Sequence, residues 1–184
     1  SGTGPDGKYY LYMETIGGGA GGRSYKDGSD GIQVHVTNTS NLPVEALENE
    51  YPLLVDRYEL IEDSGGAGKW RGGLGLRRVY RGIDHTLTFS GQGERAVTPP
   101  WGLFGGESGG TAAISLLSDN GKREALAIKP ASLEVEPGVA VCIETAGAGG
   151  YGLAAERDIK NLEDDFKSNK FSKEFMHKFY SYEI

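Results

Sequence analysis

Residues 113–145 read AISLLSDNGKREALAIKPASLEVEPGVAVCIET, and this stretch decides the fold. Short apolar runs at 113–117 and 122–126 flank Asp119-Asn120-Gly121. An Asn-Gly pair between two such runs marks a hairpin, because both residues tolerate the positive φ of a tight turn. Runs at 132–135 and 139–145 repeat that logic around Glu136-Pro137-Gly138, where proline presets one turn dihedral and glycine supplies another. Strands punctuated this often imply an antiparallel barrel or sandwich.

The same reading extends outward. Residues 8–16 are rich in tyrosine and end at a glycine run, which predicts a strand and its stop. Residues 31–39 alternate, with Ile32, Val34 and Val36 on one face and Gln33, His35, Thr37 and Thr39 on the other. That period of two predicts another strand. Further strands are expected at 51–61, 75–80 and 86–90, the first two joined through a glycine-rich turn. The end of the chain changes period. Ile159, Leu162 and Phe166 recur at helical spacing, and Ser172 can cap a second helix carrying Phe175, Met176 and Phe179. The expected organisation is a β domain over 1–155 followed by a helical tail over 156–184. That tail must pack on the sheet or on a partner, and its density of large apolar residues points to anchoring a partner.

Composition narrows the function classes. The chain has 184 residues and a formal charge of −7, without a basic cluster, which argues against nucleic acid and anionic membranes as partners. Its single cysteine, Cys142, excludes an internal disulfide framework and a multi-cysteine zinc site. No run is apolar for the ~18 residues a membrane span needs, and no signal-peptide pattern opens the sequence. A reducing, cytoplasmic setting is the expectation.

Glycine is the outlier at 30 residues. Residues 17–22 and 147–152 both satisfy G-x-G-x-x-G, and 64–70 resembles a phosphate loop. A dinucleotide loop must open a helix inside a βαβ unit, and neither copy has that setting. The phosphate-loop match has Asp63 in place of its first glycine and Trp70 in place of its Ser/Thr. Glycines here are read as places where backbones cross closely.

Catalytic patterns are sparse. His177 falls on the polar side of a tail helix, and His85 follows Asp84 in a turn before a strand. His35 is the residue of interest, on a polar strand face with Thr37, followed by Asn38 and Asn41. Such a face is either solvated or lines a cleft. His35, Thr37, Asn38 and Asn41 are the candidate substrate-binding residues; no catalytic residue is assigned, and no metal-ligand spacing or nucleophile elbow occurs.

Longer motifs carry a resemblance. They are Tyr12-x-Glu14-Thr15-Ile16-Gly17-Gly18-Gly19-Ala20-Gly21 and Asp30-Gly31-x-x-x-His35-Val36-Thr37-Asn38-Thr39-x-Asn41-x-Pro43-Val44-Glu45. Tyr51-Pro52-Leu53, Arg57-Tyr58-Glu59-Leu60 and the block from Asp63 through Lys69-Trp70-Arg71-Gly72-Gly73-Leu74-Gly75 follow. Gly93-Glu94-Arg95, Pro99-Pro100-Trp101-Gly102-Leu103-Phe104, Thr145-x-Gly147-x-Gly149-Gly150-Tyr151-Gly152 and Arg157-Asp158 complete the series. Together they resemble the hydantoinase B/oxoprolinase family over essentially the whole chain, with Val36 and Ala146 as mild departures.

The resemblance implies an ATP-dependent system acting on cyclic amides or ketones. Members include B subunits of N-methylhydantoinase, 5-oxoprolinase, and subunits of acetone and acetophenone carboxylases. An A-type partner would bind ATP and magnesium and phosphorylate the substrate's carbonyl or enolate oxygen. The B-type part would then complete ring hydrolysis or carboxylation. This chain resembles the C-terminal portion of a B-type subunit, as a fragment or a split subunit. The Asp- and His-rich N-terminal half, which carries the divalent metal in members that have one, lacks a counterpart here. The implied picture is a hetero-oligomer with no cofactor in this chain and no activity alone. The alternative is a non-catalytic β scaffold in such a complex, or in a related ketone carboxylase.

Overall fold

The architecture is taken from a computed structural model, which describes residues 1–34, 37 and 39–182. Among them are nine strands in two antiparallel sheets. The four-stranded sheet has the order β2-β1-β5-β8, formed by β1 (Gly2–Thr3), β2 (Tyr9–Tyr10), β5 (Leu87–Phe89) and β8 (Leu133–Val135). The five-stranded sheet has the order β3-β4-β9-β6-β7, formed by β3 (Leu53–Leu60), β4 (Leu76–Gly82), β9 (Val139–Glu144), β6 (Ala113–Ser118) and β7 (Arg123–Ala125). Their inner faces share one core. Tyr10, Leu87 and Val135 from the small sheet pack with Leu53, Tyr80, Ile114 and Val141 from the large one. The fold is therefore mainly β and sandwich-like, without a closed barrel.

The Asn-Gly hairpin is present, pairing Leu117 with Arg123 across Gly121 at φ 81°. The Pro-Gly turn also forms, with Gly138 at φ 82°. It joins no hairpin, however, because β8 pairs with β5 while β9 pairs with β4 and β6. The turn carries the chain from one sheet to the other.

Two expected strands are not borne out as read. Of residues 8–16 only Tyr9 and Tyr10 join a ladder. In 31–39, Ile32 makes an isolated bridge to Gly18, and the other described residues join no strand. Alternation places a strand only when a second layer covers its apolar face; Ile32 and Val34 are exposed here. A short helix, α1 (Val44–Glu50), was missed. Pro43 at its N-cap and Glu45 in its first turn were its signals. It buries one large side chain, Leu47, too little for a visible apolar stripe.

The glycines form a layer of their own. Segments 17–22, 28–31, 64–75, 102–110 and 147–152 run side by side without regular strand pairing, joined backbone to backbone. Gly28 N–H donates to Arg71 O at 2.7 Å, Gly73 N–H to Ala20 O at 2.8 Å and Gly66 N–H to Ala148 O at 2.8 Å. The chains lie too close for side chains. A Cβ at Gly147 would stand 1.8 Å from Ser64 O, and one at Gly73 would stand 1.9 Å from Ser29 O. As at the axis of a collagen triple helix, only glycine fits such an approach.

The tail forms α2 (Ile159–Lys167) and α3 (Lys173–Tyr180), after a 3-10 turn at Ala154–Glu156. Asp158 caps α2 and Ser172 caps α3, each accepting from a backbone N–H two or three residues on. Leu162, Phe171, Met176 and Tyr180 bury against Ala67 and Leu74 of the glycine layer. The apolar stripe thus finds its surface within this chain, and the expectation of a partner to cover it is unnecessary for that stripe.

Candidate functional site

A cleft of about 1110 Å³ opens between the two sheets. Its walls are Leu87 and Phe89 of β5, Ile114 of β6, Val141 and Ile143 of β9, and residues 11–16, which run on from β2. Those residues alternate: Leu11 and Met13 are exposed, while Tyr12, Glu14 and Ile16 are more covered. Apolar and polar side chains share the lining, and Tyr12, Glu14 and Tyr80 are among them.

Glu14 gathers a polar cluster around itself. One oxygen accepts from Tyr80 Oη at 2.6 Å, the other from Leu42 N–H at 2.9 Å, and Arg78 Nη1 donates to both at 2.8 and 2.9 Å. Burial alone would raise the Glu14 carboxyl, but hydrogen bonds from Tyr80 and the Leu42 amide hold it below its ordinary value. The same burial raises the hydroxyls of Tyr80 and Tyr12, with the Glu14 charge adding to the effect. Glu14 is therefore a fixed anion rather than a poised base.

Asn41 lies against this cluster. Its Nδ2 donates to Thr15 O at 2.9 Å and its Oδ1 accepts from Tyr58 Oη at 3.2 Å. Gln33 Nε2 donates to the same Thr15 carbonyl at 2.7 Å. Thr37 is exposed, its hydroxyl donating to Val34 O at 2.9 Å. His35 and Asn38 lie outside the described residues. The structure thus places Asn41 beside the cleft cluster and leaves Thr37 without a contact to it.

Arg78 and Tyr80 were not foreseen. The signal was available: Leu76, Arg78 and Tyr80 share one face of β4, and an arginine between two apolar neighbours on a strand face announces a buried anion. His85, read as a turn residue, is buried and bonded to Tyr10, with Nε2 2.6 Å from the phenol oxygen and Nδ1 2.9 Å from Ile83 O. His177 is exposed, as read.

A second charged cluster lies under the tail. Arg71 Nη1 meets Asp30 at 2.7 Å and Arg71 Nε meets Asp165 at 3.0 Å. Arg157 contacts Asp27 at 2.7 Å and Asp165 at 2.6 Å, and Lys170 contacts Asp30 at 3.1 Å. Burial would lower both guanidinium values, but the carboxylates around them hold Arg71 and Arg157 above the ordinary range. Three cations and three anions close on themselves, which suits an internal joint. Among the described residues no group of three or more His, Cys, Asp or Glu is placed to hold a metal ion, and no helix is long and apolar enough to cross a membrane.

The three glycine motifs all fall inside the glycine layer, and most of their amides are spent on other backbone or on the tail. Gly19 N–H donates to Ala146 O, Gly22 N–H to Gly149 O and Gly150 N–H to Glu107 O. Gly68 N–H donates to Tyr180 Oη at 3.2 Å. A phosphate cradle needs such donors free and converging on a ligand.

This sandwich with its glycine layer is a recognised arrangement. Over residues 1–154 the chain matches Hydantoinase B/oxoprolinase, and it belongs to that family. It is similar to an uncharacterised protein of Methanocaldococcus jannaschii, 44% identical over 166 residues, covering 90% of this chain and 29% of that protein. It is also similar to 5-oxoprolinase 1 of Arabidopsis thaliana, 40% identical over 141 residues, covering 77% of this chain and 11% of that one. The crystal structure of an ATP-dependent caprolactamase from Pseudomonas jessenii superposes with a TM-score of 0.80 at 28% identity, covering 92% of this chain and 30% of that one. The chain thus spans less than a third of the length of these relatives.

Proposed function

We propose that this chain is one part of an ATP-dependent hydantoinase/oxoprolinase-type enzyme that hydrolyses cyclic amides after an A-type partner phosphorylates the ring carbonyl. The observation that carries this reading is the superposition on an ATP-dependent caprolactamase across nearly the whole chain. Amide resonance makes a lactam a poor electrophile, and phosphorylation of its oxygen supplies a leaving group. Positioned donors around that carbon then favour attack by water. In this reading residues 1–155 are the β body and 156–184 its helical tail. His35, Thr37, Asn38 and Asn41 contact the substrate in this reading. ATP and any divalent metal belong to the partner portion, and the assembly is a hetero-oligomer.

The test is ATP turnover by the assembled enzyme, measured as phosphate release with hydantoin, 5-oxoproline or caprolactam added. The assembly should respond to at least one ring amide, and the 184-residue chain alone to none. His35→Ala should lower kcat by roughly 10²–10³ if it aids the transition state, and Asn41→Ala should lower kcat/KM through a raised KM. Turnover unaffected by either variant would assign this chain to a scaffold role instead.

A further inference from the structure

The reading of Asn41 as a substrate contact leaves open what holds it. Asn41 stands on a connecting segment outside the sheets, where a side chain is free to turn unless something fixes it. Here four contacts fix it. Thr15 O takes one N–H of its carboxamide and Tyr58 Oη occupies one lone pair of its oxygen. Its neighbour Leu42 is gripped at both backbone groups, the N–H by Glu14 and the carbonyl by Arg78 Nη2 at 3.2 Å.

All four contacts trace to one ion pair. Arg78 is 0% exposed, and its guanidinium lies 4.4 Å from the ring centroid of Tyr58 and 5.2 Å from that of Tyr80. It thereby orients the phenol that holds Asn41 Oδ1. Glu14 is bonded to Arg78 and to Tyr80, and it precedes the Thr15 carbonyl that holds Asn41 Nδ2. A primary carboxamide has two N–H donors and two lone pairs. The Asn41 carboxamide also hydrogen-bonds the Glu14 carboxylate, so among the described residues it keeps one lone pair uncommitted.

We propose that Arg78 and Glu14 are the positioning residues of this site, turning Asn41 so that its remaining lone pair accepts from the ring N–H of a cyclic amide. The inference rests on the function proposed above. A ring amide presents its N–H at the ring edge, and the carboxamide oxygen is a matching acceptor. A ring amide methylated on nitrogen has lost that donor. Neither Arg78 nor Glu14 needs to touch the ligand.

The experiment uses the assembled enzyme with 5-oxoproline, hydantoin or caprolactam, whichever it turns over, together with hydrogen exchange resolved over residues 33–42. Glu14→Gln keeps the shape and removes the charge. It should speed exchange at the Leu42 amide by about tenfold or more while sparing the amides of β6 and β9. It should also raise KM about tenfold with little change in kcat, because binding in ground and transition states is weakened alike. Arg78→Lys keeps the charge but loses the planar fork and should show the same KM defect. Arg81→Gln, on the opposite face of β4, should change neither readout. Unaltered exchange at Leu42, or an unaltered KM in Glu14→Gln, overturns the positioning role alone. A uniform rise in exchange across the sheets with KM unchanged does so too. Absence of any cyclic-amide response in the unsubstituted enzyme overturns the functional reading and this inference with it.

Discussion

The glycine layer and the sheet sandwich solve the same problem by opposite means. In the sandwich, side chains from two sheets fill the space between backbones, and a cleft remains where the filling stops. In the layer, side chains are excluded, and backbones approach until a Cβ would overlap a carbonyl. A core built of side chains can adjust rotamers when a residue changes. A core built of backbone has nothing to adjust. Tolerance to substitution should therefore differ sharply between the two, and the ligand site should lie in the tolerant one.

The largest effect tests the layer directly. Gly147→Ala places a methyl group 1.8 Å from Ser64 O, so one backbone must move and break its pairing. We expect a loss beyond ~4 kcal/mol, which for most domains means failure to fold. Gly121→Ala, in the hairpin turn with no atom near its added Cβ, should cost only about 1 kcal/mol, from its positive φ. Urea midpoints or soluble yield would show the contrast, and equal losses at the two sites would remove the distinction drawn here.

The next effect concerns the joint between the layer and the tail. Asp165→Asn leaves Arg71 and Arg157 buried with one carboxylate each, Asp30 and Asp27. Breaking an isolated buried pair costs ~3–5 kcal/mol; with a second anion retained at each arginine, about 2–3 kcal/mol is expected. Deleting residues 156–184 would remove Arg157, Asp165 and Lys170 together and strip Ala67 and Leu74 of their cover, so the remainder should melt lower or precipitate. A truncated chain with an unchanged melting temperature would return the helices to idle surface.

How far these regions were legible depends on what each is made of. The hairpin at Asn120-Gly121 and the helices capped by Asp158 and Ser172 were readable, because turn chemistry and apolar period are local properties. The strand expected at 31–39 does not form over its described residues, because alternation says nothing of whether a covering layer exists. The layer was legible only as an excess of glycine. Gly19 and Gly22, or Gly147 and Gly150, are spaced by three, but the chains they pack against are distant in sequence. The site divides likewise. Asn41 could be picked out by residue type, whereas Arg78 and Glu14 are separated by 64 positions and meet only through tertiary packing.

The smallest expected effect compares the cleft anion with an anion of the glycine layer through acid. Glu14 and Asp30 both titrate below their ordinary 4.5 and 3.8. For each, burial pushes upward and is outweighed, at Glu14 by hydrogen bonds from Tyr80 and Leu42, at Asp30 by Arg71 and the Leu74 amide. A carboxylate whose folded value is depressed binds fewer protons folded than unfolded, so stability rises with pH across the interval. The contribution is complete above the unfolded values and drains away as pH falls through the folded ones. Urea midpoints should hold steady down to about pH 5 and decline as the pH falls below the ordinary carboxylate range. Glu14→Gln and Asp30→Asn should each flatten that decline, and the two flattenings should add, because the Arg78 and Arg71 clusters share no side chain. A slope untouched by Glu14→Gln would mean that its hydrogen bonds persist in the unfolded chain or that its carboxyl is not depressed. A non-additive pair would mean that layer and sandwich respond to acid as one unit.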